Sequence, residues 1–128
     1  MAKIPQRRIL IVDDEPSVGK TVAMVLELDG HSVEVAGSGE SAIALFQPGK
    51  FDLVITDYLM EGMSGGELAA ALKARDPKQP IVLMTAYAET LESSGNDSMG
   101  GVDYILHKPF MVGHLRQAIT ALARTGPA

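Results

Sequence analysis

The sequence predicts an α/β domain, a parallel sheet of five strands with helices on both faces. Two observations predict it. Five short apolar bursts recur along the chain, at Ile9–Val12, Val33–Ala36, Leu53–Ile55, Ile81–Met84 and Val102–Leu106. Four are continuous or nearly so, as in strands covered on both sides. Between them lie segments with apolar residues at helical spacing. Strand alternating with helix in this way winds a parallel sheet.

The elements follow in order. Ile9–Val12 is the first strand. Pro16 to Leu28 carries Val18, Val22, Val25 and Leu26 on one helical face. Pro16 suits a first turn, and Gly30 suits the residue just past the end. HSVEVAG alternates, with Val33 and Val35 on one side. That pattern predicts an edge strand, or one with a wet face. Ser38–Gln47, with Ala42, Leu45 and Phe46, and Gly65–Arg75, with Leu68, Ala71 and Leu72, are the next helices. Glu89 to Gly101 reads ETLESSGNDSMGG, so a fourth helix there is expected to be short or irregular. Phe110–Arg124, built on Leu115, Ile119 and Leu122, is the last helix. The closing RTGPA reads as a frayed end or the start of a linker.

The 128 residues suit one domain, with a core over about 8–124 and terminal extensions at 1–7 and 125–128. Hydrophobic residues make up 46% and aromatics 5%, so the core must be mostly aliphatic. The net charge of −5 argues against direct nucleic-acid binding, which wants a basic face. No cysteine is present, which excludes a disulfide frame and a thiolate metal site. No apolar run approaches the roughly 20 residues a membrane helix needs, and no signal segment follows the basic start. A cytoplasmic protein with no membrane partner is the expectation.

In a doubly wound sheet, ligands lie beyond the carboxyl ends of the strands. There the sequence places Asp13 and Asp14, then Asp57, Thr85 and Lys108. Three carboxylates together are unfavourable unless a cation neutralises them. With oxygen ligands and no histidine or cysteine beside them, Mg²⁺, Mn²⁺ or Ca²⁺ fits. Few protein oxygens suit Mg²⁺, which keeps waters and shares its shell with a phosphate. A carboxylate can also be the nucleophile that forms an acyl phosphate. Lys108 would then offset phosphoryl charge and Thr85 would donate a hydrogen bond to it.

VDDEP, ITDYLMEGMSGGEL, VLMTAY and ILHKPF resemble the landmark motifs of bacterial response-regulator receiver domains, the phosphoacceptors of two-component signalling. The resemblance runs from about Ile9 to Leu122, with four motifs in order. It implies a flavodoxin-like sheet of order 2-1-3-4-5. It implies Asp57 as phosphoacceptor, Asp14 as a direct Mg²⁺ ligand, Asp13 as a ligand mostly through water, and the backbone carbonyl of Leu59 as a third. Thr85 would sense the phosphoryl group, and Lys108, before a cis peptide bond to Pro109, would pair with it. The donor would be a phosphohistidine on a histidine kinase or a histidine phosphotransfer protein. A domain of this kind catalyses only its own phosphorylation and dephosphorylation, then switches binding to a downstream effector.

The chain departs from that pattern in places. The family usually has an aromatic residue where Ile105 stands, and Tyr104 falls on the opposite side of a strand. An absent aromatic switch is the preferred reading. Glu61 stands where proline is typical. The resemblance implies that the positions of Leu59 and Tyr87 flank the path of the hydrolytic water; neither residue orients water by charge, which predicts slow loss of phosphate.

Other readings are weaker. An Asp-Asp pair after a strand is often a helix cap, and Asp13 or Asp14 could cap the helix entered at Pro16. Gly19–Thr21 reads GKT, but a phosphate loop needs glycine at position 14, which is aspartate. A flavin- or nucleotide-binding domain would want a phosphate cradle after the first strand, and two aspartates carry the wrong charge for one. A receiver-like interaction module that is never phosphorylated is the alternative: the intact acidic set argues against it, and the missing aromatic at Ile105 keeps it open. The methionines read as filler, and His31, His107 and His114 as surface residues.

Overall fold

The computed structural model describes residues 6–85, 102–108 and 112–122. Its five strands form one parallel sheet in the order β2-β1-β3-β4-β5. They are β1 (Arg8–Val12), β2 (Ser32–Ala36), β3 (Leu53–Asp57), β4 (Ile81–Thr85) and β5 (Tyr104–His107). The helices are α1 (Pro16–Leu28), α2 (Gly39–Leu45), α3 (Gly65–Arg75) and α4 (Val112–Leu122). This is the expected flavodoxin-like order. The helix expected over Glu89–Gly101, Tyr87 and the bond to Pro109 lie outside the described residues.

The period-two alternation of each strand divides the core into two layers. Ile9, Ile11, Leu53, Ile55, Val82, Met84 and Leu106 face Val22 and Leu26 of α1 and Leu115, Ala118 and Ile119 of α4. Leu10, Val12, Val54 and Ile81 face Ala42 of α2 and Leu68, Ala69 and Leu72 of α3. β1, β3 and β4 are thereby buried on both sides, which is why they read as continuous apolar runs. β2 lies at the edge with mixed exposure, as its alternation predicted.

Local chemistry sets the boundaries. Ser38 is the N-cap of α2, its side chain accepting from Ser41 N–H. Phe46 turns extended to end that helix two residues earlier than expected, and it is buried. α3 opens with a capping box between Ser64 and Glu67. β5 starts two residues later than its apolar run, because Asp103 turns its carboxylate back to accept from Ile81 N–H and Lys73 Nζ, both at 2.8 Å. At the carboxyl ends, β1 and β2 stop with their apolar runs, β4 and β5 run one residue further, and β3 runs two. Asp57 and Thr85 are the last residues of β3 and β4.

One expectation is corrected. His31 is no surface residue; it is 5% exposed. The pairing of β1 with β2 carries it beneath the chain at Arg7, whose backbone N–H donates to His31 Nδ1 at 3.0 Å. Burial pushes this imidazole below its ordinary value, with Asp29 opposing and Arg7 adding to the effect. Asp29, at the end of α1, is held by two hydrogen bonds from Arg116 of α4 at 2.7 and 2.8 Å.

A depressed histidine pKa leaves stability unaffected at high pH. Stability is lost as pH falls below the unfolded value of about 6.5, where only the unfolded chain gains the proton. Urea unfolding of the wild type should therefore weaken between about pH 6.5 and 5, relative to His31→Asn, whose Oδ1 accepts the same N–H without titrating. Parallel pH profiles for the two proteins would contradict this.

Candidate functional site

The sheet reverses its winding at β1, which pairs with β2 on one side and β3 on the other. A crevice opens beyond the carboxyl ends at such a point. Asp13 follows β1 and Asp57 ends β3, so both carboxylates lie at that mouth. One carboxylate oxygen from each of Asp13, Asp14 and Asp57 lies within 4.8 Å of the other two.

Each member is held differently. Asp13 is 2% exposed. Its N–H donates to Ala36 O at 3.1 Å, continuing the β1–β2 ladder. Its Oδ1 accepts from Glu15 N–H at 2.9 Å. Glu15 is the N-cap of α1 and makes no side-chain cap, so neither aspartate caps that helix. The other oxygen, Asp13 Oδ2, is buried with no hydrogen-bond partner among the described residues. Burial pushes the Asp13 carboxyl up; the Glu15 N–H opposes this, Asp57 adds to it, Lys108 opposes it and Asp14 adds to it. A buried carboxylate oxygen without a donor, beside two further carboxylates, is a donor set that fits a hard cation.

Asp57 is 9% exposed. Lys108 Nζ donates to its Oδ1 at 2.7 Å. Lys108 is placed by β5 and by its own N–H, which donates to Thr85 O at 2.9 Å. Thr85 is thus at the same rim, 2% exposed, joined to Lys108 through its backbone. Leu59 lies in the loop after β3 with its side chain 56% exposed. The structure brings Asp13, Asp14, Asp57 and Lys108 together and sets Thr85 beside them.

Two features escaped the sequence reading. Gly65 N–H donates to Tyr58 O at 2.9 Å, and a Cβ at Gly65 would lie 2.3 Å from the Asp57 carbonyl oxygen. Only glycine permits that approach. The sole sequence signal was the capping-box spacing of Ser64 and Glu67 around two glycines. The second feature is a hydrogen bond from Glu61 N–H to Asp14 Oδ2 at 3.0 Å, which no local pattern announces.

A family model, the response regulator receiver domain, matches residues 9–120. The chain belongs to this family. As a receiver domain it is a signalling domain. It is 36% identical over 121 residues to the transcriptional regulatory protein TcrA of Mycobacterium tuberculosis, covering 94% of this chain and 47% of that one. It is 34% identical to the DNA-binding response regulator MtrA of Mycolicibacterium smegmatis, covering 93% and 51%. The receiver thus spans about half the length of these curated relatives. Among solved structures it resembles the response regulator TrrA of Thermotoga maritima, in complex with Mg²⁺–BeF. The TM-score there is 0.82 at 33% identity, covering 91% of this chain and 99% of that one. The non-phosphorylated HemR receiver domain of Leptospira biflexa matches with a TM-score of 0.82 at 28% identity, covering 96% and 99%.

The receiver's departures have a structural face. Ile105 packs against Leu83, whereas Tyr104 is 40% exposed. No described helix is long and apolar enough to cross a membrane.

Gly65→Ala should destabilise the domain by about 1–3 kcal/mol or more, because the new methyl group must displace the Asp57 carbonyl. Urea unfolding checks this, and a variant as stable as wild type would show that the contact gives way freely.

Proposed function

We propose that this receiver accepts a phosphoryl group onto Asp57 from a phosphohistidine of a histidine kinase or histidine phosphotransfer protein. The observation that carries the reading is the setting of Asp57. It is a nearly buried carboxylate 2.7 Å from an ammonium group, with two more carboxylates alongside.

Asp13, Asp14, Asp57 and the backbone carbonyl of Leu59 would hold Mg²⁺, with Mn²⁺ as a substitute. When bound, such an ion offsets negative charge on the phosphoryl oxygens. The cation choice is supported by the TrrA complex, which holds Mg²⁺–BeF. The protein's own groups do the rest. A carboxylate oxygen of Asp57 attacks phosphorus, the P–N bond breaks, and the imidazole leaves with the electron pair. Lys108 exchanges its bond to Asp57 Oδ1 for one to a phosphoryl oxygen, and the Thr85 hydroxyl donates to another. The result is an acyl phosphate on Asp57.

The phosphorylated form then shifts the population of two conformers and changes affinity for an effector. Relatives named transcriptional or DNA-binding regulators support an effector outside the receiver, and the charge of −5 argues against nucleic-acid binding by the receiver itself. Ile105 carries no ring, so the switch runs without an aromatic swing at that position. Residues 1–128 act as one receiver unit in the cytoplasm, where the kinase partner supplies phosphate.

Incubating the chain with a small phosphoryl donor and Mg²⁺, then measuring intact mass, tests the assignment. Wild type should gain one phosphoryl group and Asp57→Asn none; equal labelling of the two would overturn it. Lys108→Ala should slow labelling by about 10²–10³-fold, the loss typical of one donor to developing charge. The family pattern sets Leu59 and Tyr87 along the path of the hydrolytic water, and neither can orient water by charge, so the isolated phosphorylated domain should keep its phosphate for minutes to hours. Phosphate release with a half-life of seconds would refute that last point.

A further inference from the structure

Asp14 follows Asp13 on the short connection between β1 and α1, where no ladder or helix holds it. Its carboxylate is fixed from elsewhere. Asp14 Oδ2 accepts the backbone N–H of Glu61 at 3.0 Å, from a loop 47 positions away in sequence. With that bond made, an Asp14 oxygen already lies within 4.8 Å of oxygens from Asp13 and Asp57.

The loop that supplies the donor is itself braced. Gly62 takes φ +80°, a turn that side-chain-bearing residues avoid. Met63 packs on the start of α2 so tightly that a Cβ at Gly39 would come within 2.8 Å of its Sδ. Ser64 then enters the capping box of α3. The arm reaching Asp14 is therefore anchored on two helices. Proline, typical of the receiver family where Glu61 stands, has no N–H to donate.

We propose that the Glu61 backbone N–H is a positioning group for the metal site. It holds the Asp14 carboxylate in the orientation that allows joint coordination with Asp13 and Asp57. The inference rests on reading those three carboxylates as a Mg²⁺ site. A charge-assisted bond to a ligating carboxylate restricts its rotation before the ion arrives. Such supporting partners typically contribute 10–100-fold to metal affinity. The coupling is reciprocal, so an ion that fixes Asp14 also strengthens the hold on the loop.

The test is calorimetric titration of MgCl₂ into the full chain as wild type, Glu61→Gln, Glu61→Ala and Glu61→Pro. The Gln and Ala variants keep the N–H and remove the side-chain charge, so the comparison of Pro with Ala isolates the donor. The expected result is binding about tenfold weaker in Glu61→Pro than in Glu61→Ala. Hydrogen exchange supplies a second readout in wild type and Glu61→Ala, and it decides alone if the proline variant fails to fold. Exchange at the Glu61 amide should slow when MgCl₂ is added. Equal or tighter binding by a folded proline variant, or Glu61 exchange that MgCl₂ leaves unchanged, would overturn the positioning role while leaving the metal site standing. A wild type that takes up no Mg²⁺ would remove the site and the inference together.

Discussion

Asp57 ends a strand that is buried along its whole length, and its carboxylate meets Lys108 Nζ at 2.7 Å. That ion pair joins β3 to the end of β5 across β4, so it depends on the order in which the strands pair. It also offsets part of the repulsion among three crowded carboxylates. Without it, Asp13, Asp14 and Asp57 would stand together, two of them largely buried, with no ion pair to a cation among the described residues. Under the proposed function the same ammonium group that holds Asp57 at 2.7 Å would also meet the phosphoryl group.

The rigidity behind this arrangement comes from the two core layers. β1, β3 and β4 pack on both faces against aliphatic side chains, and close packing leaves their ends little freedom. The loops at those ends are then tuned by close approaches and single hydrogen bonds. Gly65 lets α3 start directly against the Asp57 carbonyl. Glu61 N–H reaches back to Asp14. Activity of a site like this depends on sub-ångström placement, and here placement is set by backbone groups as much as by side chains. The weaker spot is Asp13, whose carboxyl burial pushes upward and whose Oδ2 has no donor among the described residues. A buried group left in that state costs stability, as is common where function and stability conflict.

Much of this is legible in the sequence. The bounds of α1 and α3 follow from Pro16 and from the apolar spacing of Leu68 and Leu72. The alternation of β2 pointed to an edge strand or one with a wet face, and the sheet order sets it at the edge. The residues at the strand ends could be named from one rule about where doubly wound sheets bind ligands. The order of the strands was a different matter. It came from the resemblance to receiver domains, since alternation of strand and helix does not determine which strands are neighbours. His31 reads as a surface residue because nothing beside it in the chain marks it as buried. Its burial follows from the pairing of β1 with β2, a contact with no local signature.

By itself the sequence determined the element types, the aliphatic two-layer core and the set of residues that could carry chemistry. Those are local properties, written in periodicity and in residue type at strand ends. Tertiary structure alone decided which of them meet. Lys108 reaches Asp57 across 51 positions, Glu61 reaches Asp14 across 47, and Arg7 covers His31 across 24. It also decided that Gly65 must be glycine, because the Asp57 carbonyl occupies the place of a side chain. The physical reason is the same in each case. A contact between distant segments is set by sheet order and packing, and neither leaves a mark on the residues next to it in the chain.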